Sequence, residues 1–530
     1  MGRSIATSEP HTPLSWSDPD LPPTRRAVRI NLLAAGLLLA CLLVCDLGGR
    51  ELWTDEEFSL AAGGDNLHHA MFGDASHPPG YPLLLHFWLR AGMAPDGQVS
   101  DGWLRAFSIP WALLTWALGW LIAFRLGLRR EGLLAAWLMA FSPLVIMYFR
   151  LGRYYSMTAA LTMLAVYLAL LVLSRPVWWR SLLLGLSVAA LGYTDFLGLQ
   201  VALVGVALYA LMLLVRRDYR TLGYFAGSAA FALISLIPLI IMVRARAAAV
   251  AQIQPDPLAG SLWGALVKLA LPVFSLATGE CINPWSPLAG LAVLITALLL
   301  IAALLFPHRP RTTETALTLW LWPLNIIIAT VVMSTFAANV PPNRVTSFAM
   351  FTIPLAYLLL ACGLTSLRRP PQMAVVFLLV LVVVWGYALT NYYQREQLLN
   401  PAFAPPWRQV GKIIADNDRP GDLIVSCENA FIRYYHGHAE VGRDPEFYGL
   451  AEGKVMFNRR IWLITRDRGS QEMIALSMSL RDRLLKHGFT EQVFPIKPRT
   501  PREQAMLTRI LRRPAWDAYI KLYLFTPPAV

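Results

Sequence analysis

About eleven apolar runs long enough to cross a bilayer divide this chain, at residues 30–47, 103–124, 132–148, 157–173, 181–196, 198–215, 224–243, 288–306, 317–336, 347–364 and 373–389. A hydrocarbon core about 30 Å thick takes about 20 apolar residues as a helix, which satisfies its own backbone polar groups. A polytopic α-helical membrane protein follows. Composition agrees: 56% of the 530 residues are hydrophobic, 15% are charged, and the mean hydropathy is +0.49, outside the range of ordinary soluble domains.

The formal net charge of +13 reports topology rather than nucleic-acid binding. Arg25/Arg26/Arg29, Arg125/Arg129/Arg130, Arg175/Arg180, Arg216/Arg217/Arg220, Arg309/Arg311 and Arg368/Arg369 fall in every second connection. The bias of arginine toward cytoplasmic loops then places the N-terminus inside. Residues 1–27 are expected to be a disordered cytoplasmic N-terminus, and 28–391 a membrane domain with long outer loops at 48–102 and 244–287. The alternation holds only if 81–93 and 262–276 stay in the outer interface, and both are short for a crossing. The first run could be a cleaved signal peptide, but no small-residue cleavage site follows it, so it is read as an uncleaved helix. Cys41, Cys45, Cys281, Cys362 and Cys427 show no metal-binding or disulfide spacing.

Composition shifts near Asn391, and Pro401, Pro405 and Pro406 mark a linker. Residues 422–427 and 460–465 read as buried strands, 471–487 as a helix, and 494–496 and 519–525 as edge strands. Residues 392–530 are therefore expected to be a small C-terminal α/β domain outside the membrane.

Polar residues gather beside the apolar runs. Asp55, Glu56 and Glu57 follow the first run by only a few residues, and carboxylates near a bilayer edge are expensive enough to suggest function. An acidic first helical turn is the plainer reading. A carboxylate there could act as general base toward a hydroxyl. His77, followed by Pro78-Pro79, could donate to a phosphate oxygen or merely mark a rigid turn. Asp74 is a further candidate acid. Arg153, Tyr154 and Tyr155 end the third run, and Arg344 begins another, on the side where arginine is normally avoided; bidentate anion recognition is the obvious use. Arg244 and Arg246 are read as reaching to lipid headgroups. Asp195 lies at the outer end of the fifth run, where it could pair with an arginine.

The ordered set Asp55-Glu56, His77-Pro78-Pro79-Gly80-Tyr81 with Leu83-Leu84-Leu85-His86, Arg153-Tyr154-Tyr155-Ser156-Met157, and Arg344 before Pro354 resembles integral-membrane glycosyltransferases of the GT-C class. The likeness is strongest to the protein O-mannosyltransferase and lipid A aminoarabinose-transferase relatives. It covers most of the membrane part; the C-terminal domain matches only through Trp407-Arg408 and Pro420-Gly421-Asp422. The resemblance implies a sugar donor on a polyprenyl phosphate, an inverting transfer, Asp55 as base and Glu56 in support. It also implies that His77, Arg153, Tyr154 and Arg344 meet the donor phosphate, with Asp74, Tyr81 and Asp195 as further substrate contacts. No cofactor is obligatory on this reading. Many relatives carry an acid before the His/Lys-Pro-Pro element where this chain has Ser76, which argues against a shared divalent metal. Asp195 stands where many relatives have a histidine.

A membrane enzyme of the cell envelope, acting on a glycan, glycolipid or protein acceptor at the outer face of a bacterial inner membrane, is thus expected, with membrane lipids and no nucleic acid as partners. A lipid-linked sugar flippase or secondary transporter is the alternative, but polar residues gathered at one face and the lack of clear inverted repeats speak against it.

Overall fold

The computed structural model describes residues 24–64, 66–73, 77–95, 97–242, 262–305, 312–325, 327–328, 342–367, 371–426, 430–442, 459–467, 471–511 and 515–528. These form a bundle of helices and, after Gln394, a small five-stranded sheet flanked by helices.

The bundle begins with α1 (Arg25–Val44), whose Thr24 side chain accepts from the Ala27 amide and so caps its first turn. An irregular strap, residues 45–53, leads to α2 (Thr54–Gly64), α3 (Leu67–Phe72) and α4 (Gly80–Ala91). The 12 residues of α4 reach only about 18 Å, too short to cross a bilayer. Then come α5 (Asp101–Ala106), α6 (Ser108–Arg125), α7 (Arg129–Phe141), α8 (Pro143–Phe149), α9 (Tyr155–Ser174), α10 (Trp178–Thr194), α11 (Phe196–Val215) and α12 (Tyr219–Ser235). Further helices cover Leu262–Thr278, Pro287–Leu305, Pro342–Ala349, Ile353–Ser366 and Pro371–Gln394.

Among the described residues seven helices are long and apolar enough to span, or eight if the bent pair α7 and α8 is one span. That is fewer than the eleven runs in the sequence. The helices α10 and α12 are 17 residues each, and part of the run 317–336 lies outside the described residues. The run 132–148 is broken by 62° between α7 and α8. Pro143 forces Ser142 out of the helical region, to φ −73 and ψ 123, and the Ser142 hydroxyl then caps α8 by accepting from the Val145 amide. Apolar on all sides, α9 is 83% buried over its apolar window and forms the centre of the bundle.

In the C-terminal domain the strand order is β2-β1-β3-β5-β4. Strands β1 (Leu423–Ser426), β2 (Glu440–Val441) and β3 (Ile461–Arg466) are parallel, and β4 (Thr490–Pro498) and β5 (Ala518–Thr526) run antiparallel. Alternation along β3 explains its two covered faces. Trp462 and Ile464 pack with Trp407, Val410 and Ile414 of one helix, while Ile461 and Leu463 pack with Leu480 and Leu484 of another. The expected strand at 519–525 is not at an edge: β5 lies between β3 and β4, its Leu522 and Leu524 opposite Ile464 and Trp462. Both faces of β5 are buried, so hydrophobic continuity signalled an interior strand.

Candidate active site

The acidic turn that opens α2 carries Asp55, Glu56 and Glu57, favourably placed against the positive end of the helix. Successive residues on a helix point about 100° apart, so the three acids meet different surroundings. Glu56 turns inward and is fully buried. Its two oxygens take a bidentate pair from Arg105, Nε at 2.8 Å and Nη2 at 2.7 Å, and Oε1 also accepts the Gly152 amide at 2.8 Å. Burial pushes the Glu56 carboxyl up, but the charge and hydrogen bonds of Arg105 and the Gly152 amide outweigh it and hold the group below the usual carboxylate range. Arg105 also donates to the carbonyls of Leu47, Arg50 and Glu51. This one guanidinium thereby ties α5 to the strap before α2. Gly152 is required at its place, because a Cβ there would stand 2.7 Å from Leu104.

Asp55 faces the other way, toward Arg153. Its carboxylate lies 3.9 Å from Arg153 Nη2, with side-chain exposures of 13% and 5%, so the Asp55 side chain keeps some access to solvent while the guanidinium beside it does not. Arg153 Nη1 donates to the Asp55 carbonyl and to Ser59 Oγ, both at 3.0 Å, and Nη2 lies 3.3 Å from His77 Nε2. The His77 ring packs against Tyr154 with centroids 5.3 Å apart, and Tyr81 stands edge-on to Tyr154. Ser59, His77, Tyr81, Arg153, Tyr154 and Thr194 line one pocket.

The elements that present these groups are fixed from several sides. A Cβ on Gly80 would meet the Tyr193 carbonyl at 2.5 Å, so only glycine lets the start of α4 approach the end of α10 this closely. That approach brings His77 to Thr194 and to Asp195, which is buried and caps α11 by accepting from the Gly198 amide at 2.7 Å. His86 bonds the Gly63 carbonyl at 2.8 Å, joining α4 to α2. Trp88 and Trp103 stack at 4.4 Å and exchange indole N–H bonds to each other's carbonyls, joining α4 to α5.

The structure thus gathers His77, Tyr81, Arg153 and Tyr154 around one pocket, with Asp55 beside Arg153 at 3.9 Å, Asp195 behind and Glu56 on the far side of α2. Asp74 lies outside the described residues. Arg344 belongs to helix Pro342–Ala349, but its side chain is outside what is described. The loop with Arg244 and Arg246 is also outside. Two site residues escaped the sequence reading. Arg105 stood inside an apolar run, itself a signal because buried arginine needs a partner, whereas Ser59 carried no signal. Among the described residues no three His, Cys, Asp or Glu side chains gather as a metal site.

This fold is that of the GT-C class of membrane glycosyltransferases. The chain is similar to the crystal structures of ArnT, a lipid A aminoarabinose transferase, from Cupriavidus metallidurans. For the form bound to undecaprenyl phosphate the TM-score is 0.56 at 11% identity, covering 96% of this chain and 100% of that one. For the apo form it is 0.57 at 12% identity, covering 94% and 99%. The oligosaccharyltransferase of Archaeoglobus fulgidus matches with TM-score 0.49 at 10% identity, over 95% and 89% of the two chains. No protein-family model matches the chain, and no curated protein matches it by sequence.

Proposed function

We propose that the protein is a glycosyltransferase that moves a sugar from a polyprenyl-phosphate-linked donor to a hydroxyl of an envelope acceptor, at the outer face of a bacterial inner membrane. The observation that carries this reading is the Arg153 guanidinium, 5% exposed, set between the Asp55 carboxylate and His77 at the pocket wall. It puts a base and an anion site side by side. The fold shared with ArnT, whose bound form holds undecaprenyl phosphate, supports the same donor class, and the alternation of arginine-rich connections supports the orientation.

In the proposed reaction Asp55 removes the proton from the acceptor hydroxyl as its oxygen bonds to the anomeric carbon. The bond from that carbon to the phosphate oxygen breaks on the opposite face, so configuration inverts and the lipid phosphate leaves with one more negative charge. Arg153 and His77, with Tyr154 and Arg344, balance that charge as it grows, usually the largest single contribution to such catalysis. Glu56 acts through the fold, holding the turn on which Asp55 sits. Tyr81 and Asp195 shape the pocket from behind, and Asp74 completes the substrate contacts. The acceptor is lipid A or its core, a cell-envelope polysaccharide or a protein.

Transfer of labelled sugar from synthetic polyprenyl-phosphate sugars by the purified protein tests this. Asp55→Asn should keep donor binding and lose turnover by about a hundredfold or more, the usual worth of a positioned base. Undiminished turnover would remove Asp55 as base, and lipid movement across the membrane without transfer would point to a carrier.

A further inference from the structure

The strap between α1 and α2 has no regular secondary structure, yet Arg50, Glu51, Leu52 and Trp53 are all buried. Buried peptide groups outside a helix or sheet need partners from elsewhere. Arg105 serves the carbonyls of Arg50 and Glu51 from within the bundle. The Trp53 amide and carbonyl are met by α2, through Glu56 and Glu57, and the other partners come from beyond the last bundle helix. The Gly49 carbonyl accepts from Arg395 at 2.6 Å and Arg408 at 2.7 Å. The Leu52 carbonyl accepts the Trp407 indole N–H at 3.1 Å, and the Leu52 amide donates to the Tyr434 hydroxyl at 2.7 Å. Arg466, the last residue of β3, donates to Thr54 Oγ1 at 3.3 Å, and Phe403 stands edge-on to Trp53 with centroids 4.8 Å apart.

Tyr434 is itself oriented. Its hydroxyl donates to Asp101 Oδ2 at 2.7 Å, and Arg433 holds Asp101 Oδ1 at the same distance. With its proton directed to Asp101, the Tyr434 oxygen is left to accept from Leu52. Burial, followed by the Asp101 bond, pushes this phenol up, so it stays a hydroxyl at any physiological pH.

We infer that the C-terminal α/β domain sets the position of the Asp55 carboxylate, with Tyr434 and Trp407 as positioning residues that act through both polar groups of Leu52. Only Trp53 and Thr54 separate Leu52 from Asp55, and α2 begins at Thr54, so any shift of the strap moves the carboxylate. The catalytic part of this inference rests on the glycosyltransferase reading; the mechanical part does not. A base displaced by about an ångström loses about ten- to a hundredfold in rate.

The test uses the full chain in lipid nanodiscs, with Tyr434→Phe and Trp407→Phe alone and together. Amide hydrogen exchange should rise in peptides covering 49–57 and stay at the wild-type level across α9. With a polyprenyl-phosphate sugar, kcat of the double variant should fall at least tenfold while the donor KM changes less than twofold and the thermal midpoint stays close to wild type. Unchanged exchange in the strap would overturn the inference whatever the kinetics. Faster exchange with unchanged kcat, in a protein whose Asp55→Asn variant is inactive, would overturn it too. If Asp55→Asn keeps full turnover, the glycosyltransferase base is refuted instead, and strap exchange alone decides whether the C-terminal domain holds this segment.

Discussion

Replacing Glu56 by glutamine should destabilise the protein by about 3 to 5 kcal/mol, the range for removing one partner of a buried ion pair. The structure puts this pair near the upper end. Both side chains are 1% exposed, and glutamine would present an N–H group to guanidinium donors that now find two carboxylate oxygens. Against a total stability of order 5 to 15 kcal/mol, that loss approaches a third or more. The sign with pH follows from the depressed carboxyl: the Glu56 contribution is present above the ordinary carboxylate pKa and is lost as pH falls through its lowered native value. Equilibrium unfolding in mixed micelles, followed by tryptophan fluorescence, measures it for Glu56→Gln, Arg105→Gln and the double variant. Because Arg105 also serves the carbonyls of Leu47, Arg50 and Glu51, the double variant should stay well below wild type, although a coupling of about 1 to 3 kcal/mol is expected. A Glu56→Gln protein within 1 kcal/mol of wild type and with normal turnover would refute the view that this pair holds the acidic turn.

Two further outcomes are expected. Glu280, buried between helices Leu262–Thr278 and Pro287–Leu305 and bonded by Ser275 Oγ at 2.7 Å, is pushed up by burial to about 6 from an ordinary 4.5. A raised carboxyl stabilises most in its neutral form, so stability should fall by about 2 kcal/mol as pH rises through this window, and Glu280→Gln should flatten that slope in the same unfolding assay; an unchanged slope would exclude Glu280 as its source. Arg153→Lys should raise the donor KM about tenfold, since a point charge cannot keep contacts to Asp55, Ser59 and His77 and also pair with phosphate; an unchanged KM, read from transfer kinetics, would remove Arg153 from the donor site.

The membrane architecture was legible because hydropathy is additive along a segment: 373–389 and 288–306 reappear as spans Gln372–Gln394 and Pro287–Leu305. Where packing decides, the sequence was mute. Nothing in the run 132–148 except Pro143 announced the 62° bend, and the hydrophobic content on either side of it is the same. Asp55, His77 and Arg153 could be singled out as polar groups at apolar borders, but which of the adjacent acids turns toward Arg153 and which toward Arg105 depends on where α5 and the Gly152 loop pack. In the C-terminal domain, 423–426 and 461–466 showed as apolar runs. The helix Trp407–Ala415, which covers one sheet face, was not read as an element although Trp407, Val410 and Ile414 recur at helical spacing, because the prolines at 401, 405 and 406 drew attention to a linker instead.

The strap before Asp55 has a consequence for how the protein comes into being. Its Leu52 amide waits for Tyr434, 382 residues later, and its carbonyl for Trp407, 355 residues later. At about 5 to 20 residues per second of synthesis, the segment that carries the proposed base is made roughly 20 to 80 seconds before the groups that complete it. A nascent or truncated chain therefore holds its membrane helices and its acidic turn without the geometry to use them. Under the proposed function, competence arrives only with the last domain, so translation itself delays attack on a lipid-linked sugar until the strap is held.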